Sequence, residues 1–337
     1  ARRGLALSLY ALKLYPKAIP HFDVLLAKPK LDKSINRERL IMLQGQCMLN
    51  TGKKDEARKL FIEQQKNLKT PTFKTAALAK ICDVSFGKSE WDLVIEWTAK
   101  LALAKLTPDQ AARGLYQRGF AFYQTEKIKE AADSLAKVAS LDATPEWKTR
   151  AAYLLGECHV NLEQLDKAEA AFAAALPGMT GPDGATCQYR LGLTRYLLKK
   201  YELAIVDFEA YLKRAKPDKG KPAPYINDAK FYIARCYLEL DPPDYGKANK
   251  KFSELAGGEG LFAAKSNLWW ARVFSRQGNN FERAAQILGE YLKRLGNKAK
   301  ASPLIDDLQF EYANALIGSK TPDWNLAQTA LNQIESR

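Results

Sequence analysis

Apolar residues in this chain repeat with the period of a helix face rather than the alternation of a strand. In residues 149–185, Leu155-Gly156 sit in the middle of one apolar-periodic segment and His159 closes its face. Ala168, Phe172 and Ala175 then recur at i, i+4 and i+7 on the next segment, which makes the stretch helix, turn, helix. The same arrangement returns along the whole chain. A small residue in one helix is followed about twelve positions later by another, which a bulky apolar residue trails by four. The second small residues are Ala18, Ala57, Val94, Ala131, Ala168, Ala204, Ala248, Ala284 and Ala327, spaced 39, 37, 37, 37, 36, 44, 36 and 43 apart. A near-constant period in this range predicts a stacked repeat array. The expected fold is therefore all-α, a right-handed superhelical solenoid of about nine antiparallel helix pairs.

The register carries through with conservative changes: Gly45, Ala57, Phe61; Gly119, Ala131, Leu135; Gly192, Ala204, Phe208; Ala234, Ala248, Phe252; Ala271, Ala284, Leu288. Small residues are expected where the two helices of a unit cross, as at Gly156 and Ala168, with Phe172 filling the space beside them. Thr70-Pro71, Thr107-Pro108, Thr144-Pro145 and Ser302-Pro303 each put a hydroxyl before a proline, the pattern of an N-cap followed by a first helical residue. Thr107 with Gln110 also fits a capping box. The two widest spacings fall on Asp241-Pro242-Pro243-Asp244 and on Gly318 to Asp323, which predicts surface loops that leave the stack intact. The segment 213–224, with Pro217, Gly220, Pro222 and Pro224, is the expected hinge in an otherwise single array over residues 1–337.

At these positions the chain resembles the tetratricopeptide repeat family, whose pattern has a Leu-Gly pair and an aromatic in the first helix, then Ala, Phe and Ala in the second. Most units are longer than that family's usual repeat, and Val94 with Thr98 stands where the third unit would have Ala and Phe. Longer units of this kind are similar to tetratricopeptide proteins of the bacterial cell envelope, the outer-membrane assembly lipoproteins and Tol-Pal-associated proteins. That likeness implies the periplasm or cell envelope. The cysteines imply the cytoplasm instead: Cys47, Cys158 and Cys236 share one repeat position and Cys82 takes a small position, so the five read as buried filler rather than a disulfide framework.

No apolar run reaches the length of a membrane span. The chain opens on Ala1-Arg2-Arg3 and closes on Ile334-Glu335-Ser336-Arg337, inside repeat helices at both ends, and reads as a piece of a longer protein. Catalytic chemistry has little to work with. The two histidines, His21 and His159, lie in separate units, and Gly257-Gly258-Glu259-Gly260 lacks the Lys-Ser/Thr ending of a phosphate loop. No enzyme activity, cofactor or metal is expected.

What remains is a surface. The resemblance implies that first helices line a concave groove, and the family's groove positions fall here on Arg113, Tyr116, Phe120 and Tyr123; Arg150, Tyr153 and Glu157; Tyr189 and Tyr196; Phe231 and Arg235; Leu268 and Arg272. Tyrosine and arginine combine large contact area with bidentate hydrogen bonding. The implied function is a non-enzymatic scaffold that holds a segment of a partner protein, acidic in character, within a bacterial multiprotein complex. Grip on a chaperone's terminal carboxylate is disfavoured, because Phe120 and Glu157 stand where that mode needs Asn.

Net charge is +14, from 52 basic and 38 acidic residues. Much of the excess sits in connectors: Lys28, Lys30 and Lys33; Lys213, Arg214, Lys216, Lys219 and Lys221; Lys293, Arg294, Lys298 and Lys300. A basic edge that contacts nucleic acid is thus one alternative, though no recognition module accompanies it. A scaffold domain of a larger enzyme is another.

Overall fold

The computed structural model describes residues 1–28, 31, 36–217, 223–278, 280–296 and 302–335. Among them the regular secondary structure is helical throughout. Two compact units, Ala1–Gly178 and Met179–Arg337, divide the chain. The first contains α1 (Arg2–Ala11), α2 (Tyr15–Leu26), α3 (Arg37–Asn50), α4 (Lys54–Glu63), α5 (Pro71–Gly87), α6 (Trp91–Leu101), α7 (Pro108–Gln124), α8 (Ile128–Ala139), α9 (Pro145–Asn161) and α10 (Leu165–Ala175). The second contains α11 (Gly181–Leu197), α12 (Tyr201–Arg214), α13 (Ile226–Glu239), α14 (Tyr245–Ala256), α15 (Gly260–Gly278), α16 (Phe281–Leu295), α17 (Ile305–Gly318) and α18 (Trp324–Glu335). Within each unit, every even-numbered helix packs on its own odd-numbered partner and on the next one, and from α3 onward successive odd-numbered helices touch. Each unit is therefore a two-layer ladder of helix pairs.

The small residues of the repeat lie in the core of this ladder. Ala18, Ala57, Val94, Ala131, Ala168, Ala204, Ala248 and Ala284 are fully buried, and Ala327 is nearly so. Their partners differ in one respect from the sequence expectation. The glycine of a first helix faces the bulky residue of the second helix: Gly45 meets Phe61, Gly119 meets Leu135, Gly156 meets Phe172 and Gly192 meets Phe208. A methyl group added to Gly156 would stand 2.6 Å from Phe172 Cε1. In the third unit Thr98 replaces the bulky residue and is buried, but its hydroxyl donates to the Val94 carbonyl at 2.6 Å and so stays satisfied inside its own helix.

The turn inside most repeats has a feature the apolar pattern does not mark. Lys13, Gly52, Ser89, Glu126, Glu163 and Lys199 all have φ between 57° and 79°, and each lies five residues before the buried small residue of its unit. The residue after each donates its N–H five positions back, as in Gln164 to the His159 carbonyl at 2.8 Å and Lys127 to the Phe122 carbonyl at 2.9 Å. These are Schellman closures, here mostly without the glycine that usually occupies the left-handed position.

The proline-preceded caps divide. Thr107 forms the full capping box with Gln110. Thr70 and Thr144 make no side-chain cap; their backbone N–H groups donate instead to Glu38 at 2.9 Å and to Asp109 at 2.7 Å, carboxylates of the preceding repeat. Ser302 lies outside its helix, because α17 begins only at Ile305. The inserted loops fall between α13 and α14 and between α17 and α18, where Asp244 and Asp323 accept N–H bonds from Lys247 and Leu326 at 2.9 Å each. The segment 213–224 lies inside the second unit, and its residues 218–222 fall outside the described residues, as do Lys30, Lys33, Lys298 and Lys300.

Candidate functional site

The groove positions proposed from the sequence separate by register. One of them lies three residues before the small residue of the first helix and is held by Tyr116, Tyr153, Tyr189, Phe231 and Leu268. At Tyr153, Tyr189 and Phe231 this position turns toward the second helix. Tyr153 packs on Phe172 at 5.8 Å between ring centroids, Tyr189 on Phe208 at 5.7 Å and Phe231 on Phe252 at 5.8 Å. Tyr189, Phe231 and Leu268 are buried core residues and present no free surface. Tyr189 also stacks on Tyr225 at 4.5 Å with the rings nearly parallel. Glu157 is buried as well. A 100° helical step leaves these positions near the edge of the apolar stripe, so periodicity alone could not assign them to either side.

Tyr116 and the remaining positions face out and cluster by unit. In the first unit, Tyr116 lies among Phe120 at 6.2 Å, Phe86 at 6.5 Å and Trp147 at 5.9 Å, while Phe120 also meets Phe86 at 5.2 Å and Trp91 at 5.4 Å. Tyr123 is half-buried beside this patch. Burial raises the Tyr116 phenol above its ordinary range, so it remains a neutral donor at neutral pH. Two arginines flank the rings. Arg113 pairs with Asp83 of α5 at 2.5 Å and Arg150 with Glu146 at 2.9 Å, and Arg150 also lies over Trp147 at 5.5 Å. Both guanidinium side chains are about half exposed, so their ion pairs are weak and open to exchange with an incoming carboxylate.

In the second unit the centre is Trp269, which the sequence reading passed over. Arg235 lies 3.4 Å above its ring, Arg272 at 4.7 Å and Arg276 at 5.7 Å. Arg235 and Arg276 share Glu239, at 3.3 Å and 3.4 Å, and Arg272 holds Glu311 at 3.0 Å. Tyr196 closes one side, 5.8 Å from Arg235 and 4.9 Å from Tyr232, and burial pushes its phenol up to about 12. Arg235 and Arg272 thus stand over one ring, and the tryptophan explains why three cations can stand side by side. Each guanidinium gains the attraction of the indole face, worth about 0.5–2 kcal/mol, against mutual repulsion. The available signal in the sequence was the Trp269-Trp270 pair, whose two indoles stand about 100° apart around one helix, so that they cannot both face the same neighbour.

The sulfur and metal chemistry is simple. All five cysteines are free and buried, and burial pushes the thiols of Cys82, Cys158 and Cys236 up to about 12 and that of Cys47 to about 11. Among the described residues no group of three His, Cys, Asp or Glu side chains could hold a metal, and no helix is long and apolar enough to cross a membrane.

An all-helical ladder of paired helices with small-on-large contacts defines a helical-repeat fold. The family model for the tetratricopeptide repeat matches residues 149–176, the unit with the most regular pattern. Among solved structures, the chain is similar to the apo form of RapI, at 10% identity over 99% of this chain and 96% of that one, with a TM-score of 0.50. It is also similar to the C-terminal part of a TPR repeat-containing protein from Cytophaga hutchinsonii, at 15% identity, 85% and 98% coverage and a TM-score of 0.47. A third is YrrB, a TPR protein with an unusual peptide-binding site, at 17% identity, 55% and 87% coverage and a TM-score of 0.42. The likeness to RapI is one of fold. No curated protein matches the chain.

Proposed function

We propose that this protein is a non-enzymatic scaffold that binds an acidic segment of a partner protein on the aromatic–arginine faces of its odd-numbered helices. The observation that supports this most is Trp269 with Arg235, Arg272 and Arg276 around it. A carboxylate from a partner would displace Glu239 or Glu311 from a guanidinium already oriented by the ring, so little side-chain entropy is lost on binding. In the first unit Arg113 and Arg150 offer the same chemistry beside Tyr116, Phe120 and Tyr123. Tyr196 completes the second face. Chemistry on a small-molecule substrate has no place in this function, and no cofactor is required. The longer repeats favour a role in a bacterial multiprotein complex at the cell envelope.

The test begins with capture of partners on the purified chain and identification of the bound segment. Titration then compares wild type with Arg113→Ala/Arg150→Ala and with Trp269→Ala/Arg272→Ala. Each pair should weaken binding by about 2–4 kcal/mol while the helical circular dichroism spectrum is retained. If both pairs are silent and Lys219→Ala/Lys221→Ala abolishes binding, the basic connectors are the working surface and the proposal fails.

A further inference from the structure

The first unit has a second opening on its other side. Between α8 and α10, above α9, lies a trough of about 820 Å³. Its floor includes Ala152 and Leu155, on the face of α9 turned away from Arg150 and Tyr153. Leu135 contributes one wall, and Ala170 and Ala174 the other.

The equivalent place one repeat earlier, a cleft between α6 and α7, encloses about 180 Å³. The difference is a matter of side chains. Leu115 and Arg118 stand there where the trough has Ala152 and Leu155, thirty-seven residues on, and the Arg118 guanidinium folds over Phe122 at 5.3 Å. In the sequence, Asp133 and Lys137 of α8 are replaced thirty-seven residues on by Ala170 and Ala174 of α10, which line the trough. One repeat has thus exchanged bulk and charge for alanine on a surface that its neighbour fills, and the second helices on either side do not close the space.

Charge distinguishes the occupant. Two cations, Lys148 and Lys167, line the trough and no carboxylate does. Lys148 is half-buried, Lys167 is exposed on the α10 wall, and neither forms an ion pair among the described residues. The walls offer no row of backbone donors or acceptors, so an extended chain laid here would leave its own peptide groups without partners. A helix satisfies those groups internally. Lys167, Ala170, Ala171 and Ala174 fall at i, i+3, i+4 and i+7, which lets a second helix approach the α10 backbone closely.

We propose that this trough docks an amphipathic helix of a partner protein, with large apolar residues seated over Ala152, Ala170 and Ala174 and acidic residues beside them paired with Lys148 and Lys167. The site is separate from the aromatic–arginine face and does not depend on it.

The experiment uses the full chain and a displayed library of helical peptides of about 18 residues, five turns long. Leu, Ile, Phe or Met occupies i, i+3, i+4 and i+7, and the flanking positions are randomised among Glu, Gln and Lys. Selection should enrich glutamate beside the apolar stripe. The selected peptides should lose about tenfold or more in affinity with Ala170→Arg/Ala174→Arg, which fills the trough, and with Lys148→Glu/Lys167→Glu, which reverses its charge. Arg113→Ala/Arg150→Ala should leave their affinity unchanged. Circular dichroism and gel filtration identify either variant pair that misfolds, and the other then decides. Failure to select any binder, enrichment of lysine flanks, or peptides that bind both trough variants as well as wild type would each overturn the proposal.

Discussion

Gly156→Ala tests the repeat contact with a single methyl group. The added carbon would lie 2.6 Å from Phe172 Cε1, 2.7 Å from Cδ1 and 2.9 Å from Cζ. Ordinary carbon–carbon contact is about 3.5–4.0 Å, so the ring must retreat by about 1 Å. Phe172 is fully buried and already packs on Tyr153 at 5.8 Å, which leaves it no free direction. Overpacking of this kind costs about 1–3 kcal/mol. Alanine returns about 1 kcal/mol through its helix propensity, and the net expectation is a loss of about 1 kcal/mol. Gly114→Ala is the matched control. It too is buried mid-helix, but its added carbon would meet only Leu101 Cδ2, at 3.5 Å, an ordinary contact. That variant should gain up to about 1 kcal/mol. Urea unfolding followed by circular dichroism compares the two midpoints directly, without assuming that a repeat array unfolds in one step. Phe172→Leu should partly rescue Gly156→Ala, since leucine serves in the equivalent place opposite Gly119. A Gly156→Ala midpoint at or above that of Gly114→Ala would refute the small-on-large contact as the determinant of the pair.

The left-handed turn residues give an opposite pair of signs. Glu163→Gly relieves a left-handed backbone that costs about 1 kcal/mol or more but loosens the unfolded chain by about 0.4–1 kcal/mol, so it should be neutral to mildly stabilising in a thermal melt. Glu163→Val should destabilise by about 1 kcal/mol or more, and an unchanged melting temperature would contradict the assigned backbone. Asp207, buried on α12, accepts from Gln188 Nε2 at 2.7 Å and Arg195 Nη1 at 2.8 Å. Asp207→Ala should cost about 1–3 kcal/mol in urea unfolding by removing the acceptor of both bonds, with Asp207→Asn milder; equal and small effects would show the network to be dispensable. The raised thiols of Cys47, Cys82, Cys158 and Cys236 predict slow reaction with a disulfide reagent at pH 8 in the folded protein and rapid reaction of all five cysteines in denaturant. Fast labelling of the native chain would argue against their burial.

The repeat itself was legible before any coordinates because it is a local and nearest-neighbour property. Gly156, Ala168 and Phe172 sit within one helix pair, and their sizes must match whatever the rest of the chain does. The inserted loops at Asp241–Asp244 and Gly318–Asp323 were legible for the same reason, since Gly and Pro act on their own turn. The left-handed residues were not, because Lys13, Ser89, Glu126 and Glu163 carry no composition signal; the Schellman bonds and the packing of the next helix hold them there.

The candidate faces needed the tertiary structure. A helical period places Tyr116, Tyr189, Phe231 and Leu268 at one angle, yet Tyr116 reaches the surface while the other three are enclosed. Tyr189, for one, is covered by Tyr225, which stacks on it at 4.5 Å from the start of the following repeat. Trp269 became visible as a centre only when Arg235 of one repeat and Arg272 and Arg276 of the next were brought over one ring. Likewise, alanines at 152, 170 and 174 are unremarkable helix formers in the sequence, and only the separation of α8 and α10 turns them into the walls and floor of a trough. Sequence determines which residues must be small and which helices must pair, because those contacts repeat at fixed separation. Tertiary packing decides which of the remaining side chains meet solvent, because that depends on residues a full repeat away.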